Sequence, residues 1–147
     1  MSRRNMLISR QFSSQTLRDA IVMTVTLYHN PACGTSRNVL AMLRAAGIEP
    51  VVVNYLKNPP ARAELDVLAS RLVVPVRELL RQRGTPYAEL GLDNPALTDG
   101  QILDAIAAHP VLLNRPVVMT EQAARPCRPR EVLYELLPQT RPADPAP

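Results

Sequence analysis

Apolar and polar residues follow one another along the chain in patterns that predict alternating strands and helices. The alternation in Thr24-Val25-Thr26-Leu27-Tyr28 has period two and predicts a first strand. Apolar residues at helical spacing then predict a helix from Gly34 to about Ala46, with Gly47 in the position of a C-terminal cap. The run Val51-Val52-Val53-Asn54-Tyr55 is almost continuously apolar and predicts a second, more buried strand.

The middle of the chain is predicted to be helical. Asn58 is a suitable N-cap for a helix that begins at one of the two prolines after it, and a short helix is expected over 75–83. Thr98 stands three residues before Gln101, which is the spacing of a capping box and predicts a helix that runs to Ala108. The two long helices are expected to bury Leu65, Leu68, Leu72, Ile102, Leu103 and Ile106.

Two short strands and a helix complete the pattern. Residues 116–120 predict a strand, a turn follows at 121–123, and another strand runs through Cys127 before a last helix that starts at Pro129. The first β-α-β unit requires parallel strands, whereas a hairpin requires antiparallel ones. The order therefore predicts an α/β, thioredoxin-like three-layer fold with a mixed four-stranded sheet and a helical insertion.

Length and composition predict one folded domain over residues 23–138, which we expect to be monomeric. The chain has 147 residues, of which 46% are hydrophobic and 20% charged, and no apolar stretch is long enough to span a membrane. Residues 1–22 are rich in Arg and Ser; this is typical of an organelle transit peptide, but we favour a start assigned too far upstream of Met23. Residues 139–147 are polar and Pro-rich and are expected to be disordered.

The charge and the cysteines narrow the functional classes. The net charge of +4 is concentrated in residues 1–22, and the remaining chain has a net charge of only +1 without a basic run, which disfavours nucleic-acid binding. Two cysteines 94 positions apart and two separated histidines match neither a disulfide scaffold nor a zinc site. We therefore expect free thiols in the reducing cytoplasm, with no bound metal or organic cofactor.

Cys33 is the candidate catalytic residue because it lies between a strand and the start of a helix. Unpaired N–H groups and the helix dipole at such a position lower the pKa of a thiol and also bind oxyanions. His29, four residues earlier, could supply positive charge or a hydrogen bond. The alternative is that Cys33 is only a small buried apolar residue.

The residues after Cys33 select among thiol chemistries. Cys33-Gly34-Thr35-Ser36 is a C-x-x-S pattern, so the site lacks the adjacent resolving cysteine of dithiol oxidoreductases and requires an external thiol, for which glutathione is the abundant candidate. A phosphatase-type loop would need an arginine at position 39, where this chain has a valine. Cys127 is more consistent with a structural role than with that of a resolving partner.

The run His29-Asn30-Pro31-Ala32-Cys33-Gly34-Thr35-Ser36-Arg37-Asn38 resembles the signature of the arsenate reductases that are coupled to glutathione and glutaredoxin. The resemblance extends from about Met23 to Pro138. Further matching blocks are Tyr55-Leu56-Lys57-Asn58-Pro59-Pro60, Leu79-Leu80-Arg81, Tyr87-Ala88-Glu89-Leu90-Gly91-Leu92, His109-Pro110, Asn114-Arg115-Pro116 and Cys127-Arg128-Pro129. Several separated blocks in one order are more specific than any single motif.

The resemblance implies that Arg81, Arg115 and Arg128 surround the anion beside the catalytic cysteine, as guanidinium groups suit anionic oxygens. Without it, Arg81 would be interpreted as a solvated helix residue, and Arg115 and Arg128 would be equally consistent with surface positions. Arg115-Pro116 also falls where thioredoxin-like folds keep a cis proline, although the sequence does not give the isomer.

The resemblance implies that the protein reduces arsenate to arsenite through a thiol–arsenate adduct on Cys33. Glutathione and glutaredoxin would complete the turnover. Ser36 could donate a hydrogen bond to the sulfur or to a substrate oxygen. Two alternatives remain. One is a general glutathione-linked thiol oxidoreductase, which would not need the three arginines. The other is a thiol-stress regulator of transcription with this fold, for which we would expect C-x-x-C.

Overall fold

The computed structural model of the protein describes residues 24–142. Its sheet has four strands in the spatial order β2-β1-β3-β4: β1 (Thr26–His29), β2 (Val51–Asn54), β3 (Val117–Met119) and β4 (Ala124–Pro126). β1 is parallel to β2, whereas β3 is antiparallel to both of its neighbours. The predicted mixed four-stranded sheet is confirmed.

Helices cover both faces of this sheet. α1 (Gly34–Ala45) and α4 (Leu133–Leu136) pack on one face, and α2 (Arg62–Arg71) and α3 (Asp99–Ala108) pack on the other. Residues 24–142 also contain 3-10 turns at Val76–Leu79, Pro110–Leu112, Arg130–Val132 and Pro138–Thr140, the last of which follows α4. Each face has its own apolar core, because β1 and β3 alternate side chains to the two sides. The three-layer arrangement is therefore as predicted.

Short sequence motifs correctly predicted where α3 begins and where α1 ends. The hydroxyl of Thr98 accepts from the backbone N–H of Gln101, and the Gln101 side chain accepts from the Thr98 N–H, so the capping box opens α3 as predicted. Gly47, with φ of 79°, follows the end of α1. The N–H of Ile48 bonds back to the carbonyl of Leu43 at 2.9 Å, which satisfies a carbonyl of the last turn.

β2 is less buried than its apolar sequence suggested. Val51 is 56% exposed and Val52 is 40% exposed. The reason is that β2 is an edge strand, which among the strands of residues 24–142 pairs with β1 alone. The prediction of a more deeply buried strand was wrong, since composition does not distinguish an edge strand from a central one.

α2 starts later than predicted. Its N-cap is Ala61, whose backbone N–H is bonded by the side chain of Glu64, and its first residue is Arg62. Asn58 instead closes the turn after β2, where its N–H donates to the carbonyl of Asn54 at 2.8 Å. A residue that precedes proline is disfavoured in the helical region, so two successive prolines keep this stretch extended.

Two further boundaries differ from expectation. The short helix predicted over 75–83 is only the 3-10 turn Val76–Leu79, after which Leu80 forms a bridge with Leu113. Thr140 is buried and its hydroxyl donates to the carbonyl of Leu137, so residues 139 and 140 belong to the folded domain, not to the predicted disordered tail.

The proposed extension at 1–22 and the last five residues lie outside the described range. Within residues 24–142, no helix combines the length and apolar character needed to cross a membrane.

Candidate active site

The candidate site lies at one edge of the sheet, where β1 and β2 end and β3 begins. His29 pairs with Asn54 in the parallel register, so the loop after β1 and the turn after β2 leave the sheet side by side. β3 runs in the opposite direction and begins just after Arg115 and Pro116, so these residues meet the same edge. The bond between Arg115 and Pro116 is cis, as is the bond between Arg128 and Pro129.

Cys33 is the N-cap residue of α1, in an extended conformation, and it is partly exposed. Burial alone would raise the pKa of its thiol, but the N–H of Ser36, the Arg115 side chain and the N–H of Thr35 together lower that pKa below its ordinary value. The helix dipole acts in the same direction. The structure therefore places Cys33 where a thiolate is stabilised and remains accessible, which argues against a merely apolar role.

His29 and Ser36 form a buried pair beneath the loop that carries Cys33. The Nδ1 atom of His29 lies 2.6 Å from the Ser36 Oγ, which also accepts from the backbone N–H of Asn30 at 3.0 Å. Burial, followed by the charges of Arg37 and Arg44, lowers the pKa of His29. The ring is therefore neutral at neutral pH, so His29 supplies a hydrogen bond to the loop and not a positive charge.

Ser36 contacts the sulfur through its backbone. Its hydroxyl is engaged by His29 and by the N–H of Asn30, whereas its own backbone N–H faces the Cys33 thiol. The sequence predicted a side-chain hydrogen bond to the sulfur or to a substrate oxygen. The structure gives the hydroxyl a different role, which is to hold the loop over the helix N-terminus.

Arg128 and Arg115 both reach Cys33 from the hairpin end of the domain. The Nη1 atom of Arg128 lies 3.6 Å from the Cys33 Sγ and donates to the carbonyl of Arg115 at 3.2 Å. The Arg115 side chain lies close enough to the same sulfur to lower the pKa of the thiol. Arg128 thus links the backbone of Arg115 to the thiol, although Arg128 is 95 positions from Cys33 and 13 from Arg115 in the sequence.

Arg81 joins this group through the helical insertion. Burial and the like charges of Arg115 and Arg128 lower the pKa of Arg81, and the negative charge of Cys33 opposes them. Its backbone N–H donates to the carbonyl of Leu112 at 2.7 Å, which fixes this part of the insertion against the segment that leads to Arg115. The structure therefore brings Arg81 near the thiol and the other two arginines, at a half-buried position after the 3-10 turn.

The same edge holds a tyrosine that sequence reasoning did not assign to the site. Tyr55 directly follows β2, is fully buried, and has a side chain that lies against Asn30 and Arg115. Its position could have indicated this, because side chains at the carboxyl ends of adjacent parallel strands meet at one edge. Cys127, in contrast, is buried in the core beside α1 and α4, and burial raises the pKa of its thiol to about 12.

The charge of the site is positive. In the described part of the chain, the five ion pairs involve other basic residues, and Arg81, Arg115 and Arg128 have no carboxylate within 4.0 Å. Three guanidinium groups that converge without acidic partners favour an anionic ligand. Over residues 24–142, no cluster of three or more His, Cys, Asp or Glu residues is arranged to hold a metal ion.

These features define a class of protein with a thioredoxin-like fold, in which one thiol with a lowered pKa lies close to arginine side chains. The family model described as the ArsC family matches residues 28–136. The chain therefore belongs to the ArsC family.

Named relatives agree with that assignment. The chain is 58% identical over 118 residues to an arsenate reductase of Rhizobium meliloti (strain 1021), which covers 80% of this chain and 84% of the relative. It is 49% identical over 117 residues to an arsenate reductase of Escherichia coli (strain K12), covering 80% of this chain and 83% of that one. The solved structure of an arsenate reductase from Vibrio cholerae superimposes with a TM-score of 0.71 at 40% identity, over 78% of this chain and 98% of that chain.

Proposed function

We propose that this protein reduces arsenate to arsenite, with Cys33 as the nucleophile and glutathione and glutaredoxin as its thiol partners. The observation that carries the proposal is that three guanidinium groups without carboxylate partners lie near a thiol whose pKa is lowered. Arsenate is a tetrahedral anion, so its oxygens suit both the arginines and the N–H groups at the start of α1. The names of the relatives point to the same substrate.

The first step is attack by the Cys33 thiolate on arsenic, with loss of one oxygen as water, to give a thiol–arsenate ester. Arg81, Arg115 and Arg128 hold the remaining oxygens and offset their charge. Glutathione then displaces a second water, so that two sulfurs are bound to pentavalent arsenic. The lowered pKa of Cys33 supports the first step, because only the thiolate is a good nucleophile.

Glutaredoxin completes the reduction. Its thiolate attacks the glutathione sulfur, a glutaredoxin–glutathione mixed disulfide forms, and the electron pair of the sulfur–arsenic bond stays on arsenic, which becomes trivalent. Water then releases arsenite and regenerates the Cys33 thiol. An external thiol is required because Ser36 occupies the position of a resolving cysteine and Cys127 is buried in the core. A reduced glutathione pool implies the cytoplasm as the place of action, and no bound cofactor or second subunit is required.

The test is arsenite production from arsenate by the purified protein with glutathione and glutaredoxin. Cys33→Ser should abolish the product, and Arg81→Ala should reduce it strongly. Arg44→Ala is the matched control, because Arg44 is exposed, pairs with Glu49, and lies about 16 Å along α1 from Cys33 at 1.5 Å per residue. If the wild type makes no arsenite while Cys33 still exchanges readily with glutathione disulfide, the proposal fails and a general thiol oxidoreductase is favoured.

A further inference from the structure

Two polar atoms at the site edge are buried without a hydrogen-bond partner in the described chain: the hydroxyl oxygen of Tyr55 and the Nε of Arg115. Buried polar groups of this kind are costly, and few remain unpaired in native proteins. Both atoms belong to side chains that lie against each other. Their proximity indicates that one is the natural partner of the other.

The sheet explains why they meet. Tyr55 is the first residue after β2, Asn30 is the first residue after β1, and Arg115 lies two residues before β3. The parallel pairing of His29 with Asn54 and the antiparallel pairing of Tyr28 with Val117 bring these three positions to one edge. Tyr55 thus stands between the loop that carries Cys33 and the arginine that faces its sulfur.

We propose that Tyr55 is a positioning residue, whose phenol oxygen accepts from the Arg115 Nε–H and whose hydroxyl donates to the Asn30 side chain. The guanidinium has five donors in a fixed fork. Holding the Nε–H from behind leaves the terminal N–H groups directed at Cys33 and at the anion. The Asn30 Oδ1 already accepts from the N–H of Ala32, so the phenol also connects Arg115 to the Cys33 loop. Because the Tyr55 hydroxyl is buried, it acts through Arg115 and does not touch the substrate.

This inference rests on the proposed anion site, but it is tested by a property of Cys33 that needs no arsenate. Tyr55→Phe keeps the ring in the core and removes only the hydroxyl. With Arg115 less firmly held, the pKa of Cys33 should rise, and alkylation by iodoacetamide at neutral pH should slow by about fivefold, the equivalent of one hydrogen bond. The KM for arsenate should rise by a similar factor, with a smaller change in kcat, because binding of the anion is weakened.

Tyr28→Phe is the matched control. Tyr28 is equally a buried tyrosine of the same core, but the charges near its hydroxyl are those of Glu64 and Arg71, not those of the site arginines. The rate at which iodoacetamide alkylates Cys33 in this variant should match that of the wild type. Urea denaturation of both variants checks that they fold, so that a change in the pKa cannot be attributed to loss of structure.

A double-mutant cycle separates positioning from general packing. If Tyr55 acts through Arg115, the effect of Tyr55→Phe on the Cys33 pKa should disappear in the Arg115→Ala background. An unchanged Cys33 pKa in Tyr55→Phe would overturn the inference while leaving the proposed function intact. An effect that persists undiminished without Arg115 would also overturn it. Failure of arsenate to bind the wild type would count against the proposed function alone.

Discussion

Removal of the positive charge of Arg128 is expected to raise the pKa of the Cys33 thiol and to slow its alkylation at neutral pH. The Nη1 atom of Arg128 lies 3.6 Å from the sulfur, and the arginine is exposed, so the dielectric near it approaches that of water. Two unit charges at this separation in water attract each other by about 1.1 kcal/mol. Since roughly 1.4 kcal/mol corresponds to a tenfold change in an equilibrium, Arg128→Ala should raise the pKa of the thiol and lower the ratio of thiolate to thiol about sixfold.

The assay is the rate of iodoacetamide alkylation as a function of pH. Cys127 is silent in this assay because it is fully buried and its pKa is raised to about 12. Well below the pKa, the rate follows the thiolate fraction, so the variant should react about sixfold more slowly, whereas the plateau at high pH should change little. The separation is shorter than the Debye length of about 8 Å at physiological salt, so the effect should persist there.

Arg130→Ala is the matched control for this experiment. Arg130 is also exposed and lies two residues further along the chain, but its side chain pairs with Glu131. Its alkylation profile should superimpose on that of the wild type, and Arg128→Lys should give an intermediate shift because the charge remains without the planar fork. If the Arg128→Ala profile is identical to that of the wild type, direct stabilisation of the thiolate by Arg128 is refuted.

Three further predictions concern the stability of the fold. Ser36→Ala should lower the free energy of unfolding by about 1–3 kcal/mol in urea titrations, because it leaves buried partners of its hydroxyl unpaired; no change would mean that the pair with His29 is unimportant. Burial lowers the pKa of His29, so the unfolded chain binds the proton first; stability should fall as the pH drops below about 6.5, and less steeply in His29→Gln. Thr98→Ala should cost about 1 kcal/mol by loss of the N-cap, and a thermal midpoint equal to that of the wild type would contradict this.

Features that depend on neighbouring residues were predictable from the sequence. The capping box at Thr98 requires only the residue three positions later, and the placement of Cys33 at the start of α1 follows from a strand, a turn and an apolar helix pattern. The start of α2 at Arg62 could also have been predicted from neighbouring residues, because the two prolines before Ala61 disfavour an earlier helical start. The exposure of Val51 could not be predicted from neighbouring residues, because it depends on whether a second strand pairs with β2.

The site required both kinds of information. Residue patterns predicted Cys33 as the nucleophile. The three arginines were predicted as anion-binding residues only through resemblance to a family. Tyr55 was absent from the predicted site because a tyrosine after an apolar run is equally consistent with a core residue. The pairing of β1 with both β2 and β3 brings the Tyr55 side chain beside Arg115.

By itself, the sequence determined where a thiol can be activated, since the N–H groups that stabilise the thiolate belong to Thr35 and Ser36, which follow Cys33 closely in the chain. The tertiary structure decided what that thiol faces. Arg128 lies near the sulfur, 95 positions away in the sequence, because the hairpin of β3 and β4 packs against β1. Arg81 lies near the same site because the β-bridge between Leu80 and Leu113 holds the preceding residue there. Contacts of this kind are set by sheet order and register, and the short-range patterns that specify helices and turns do not encode them.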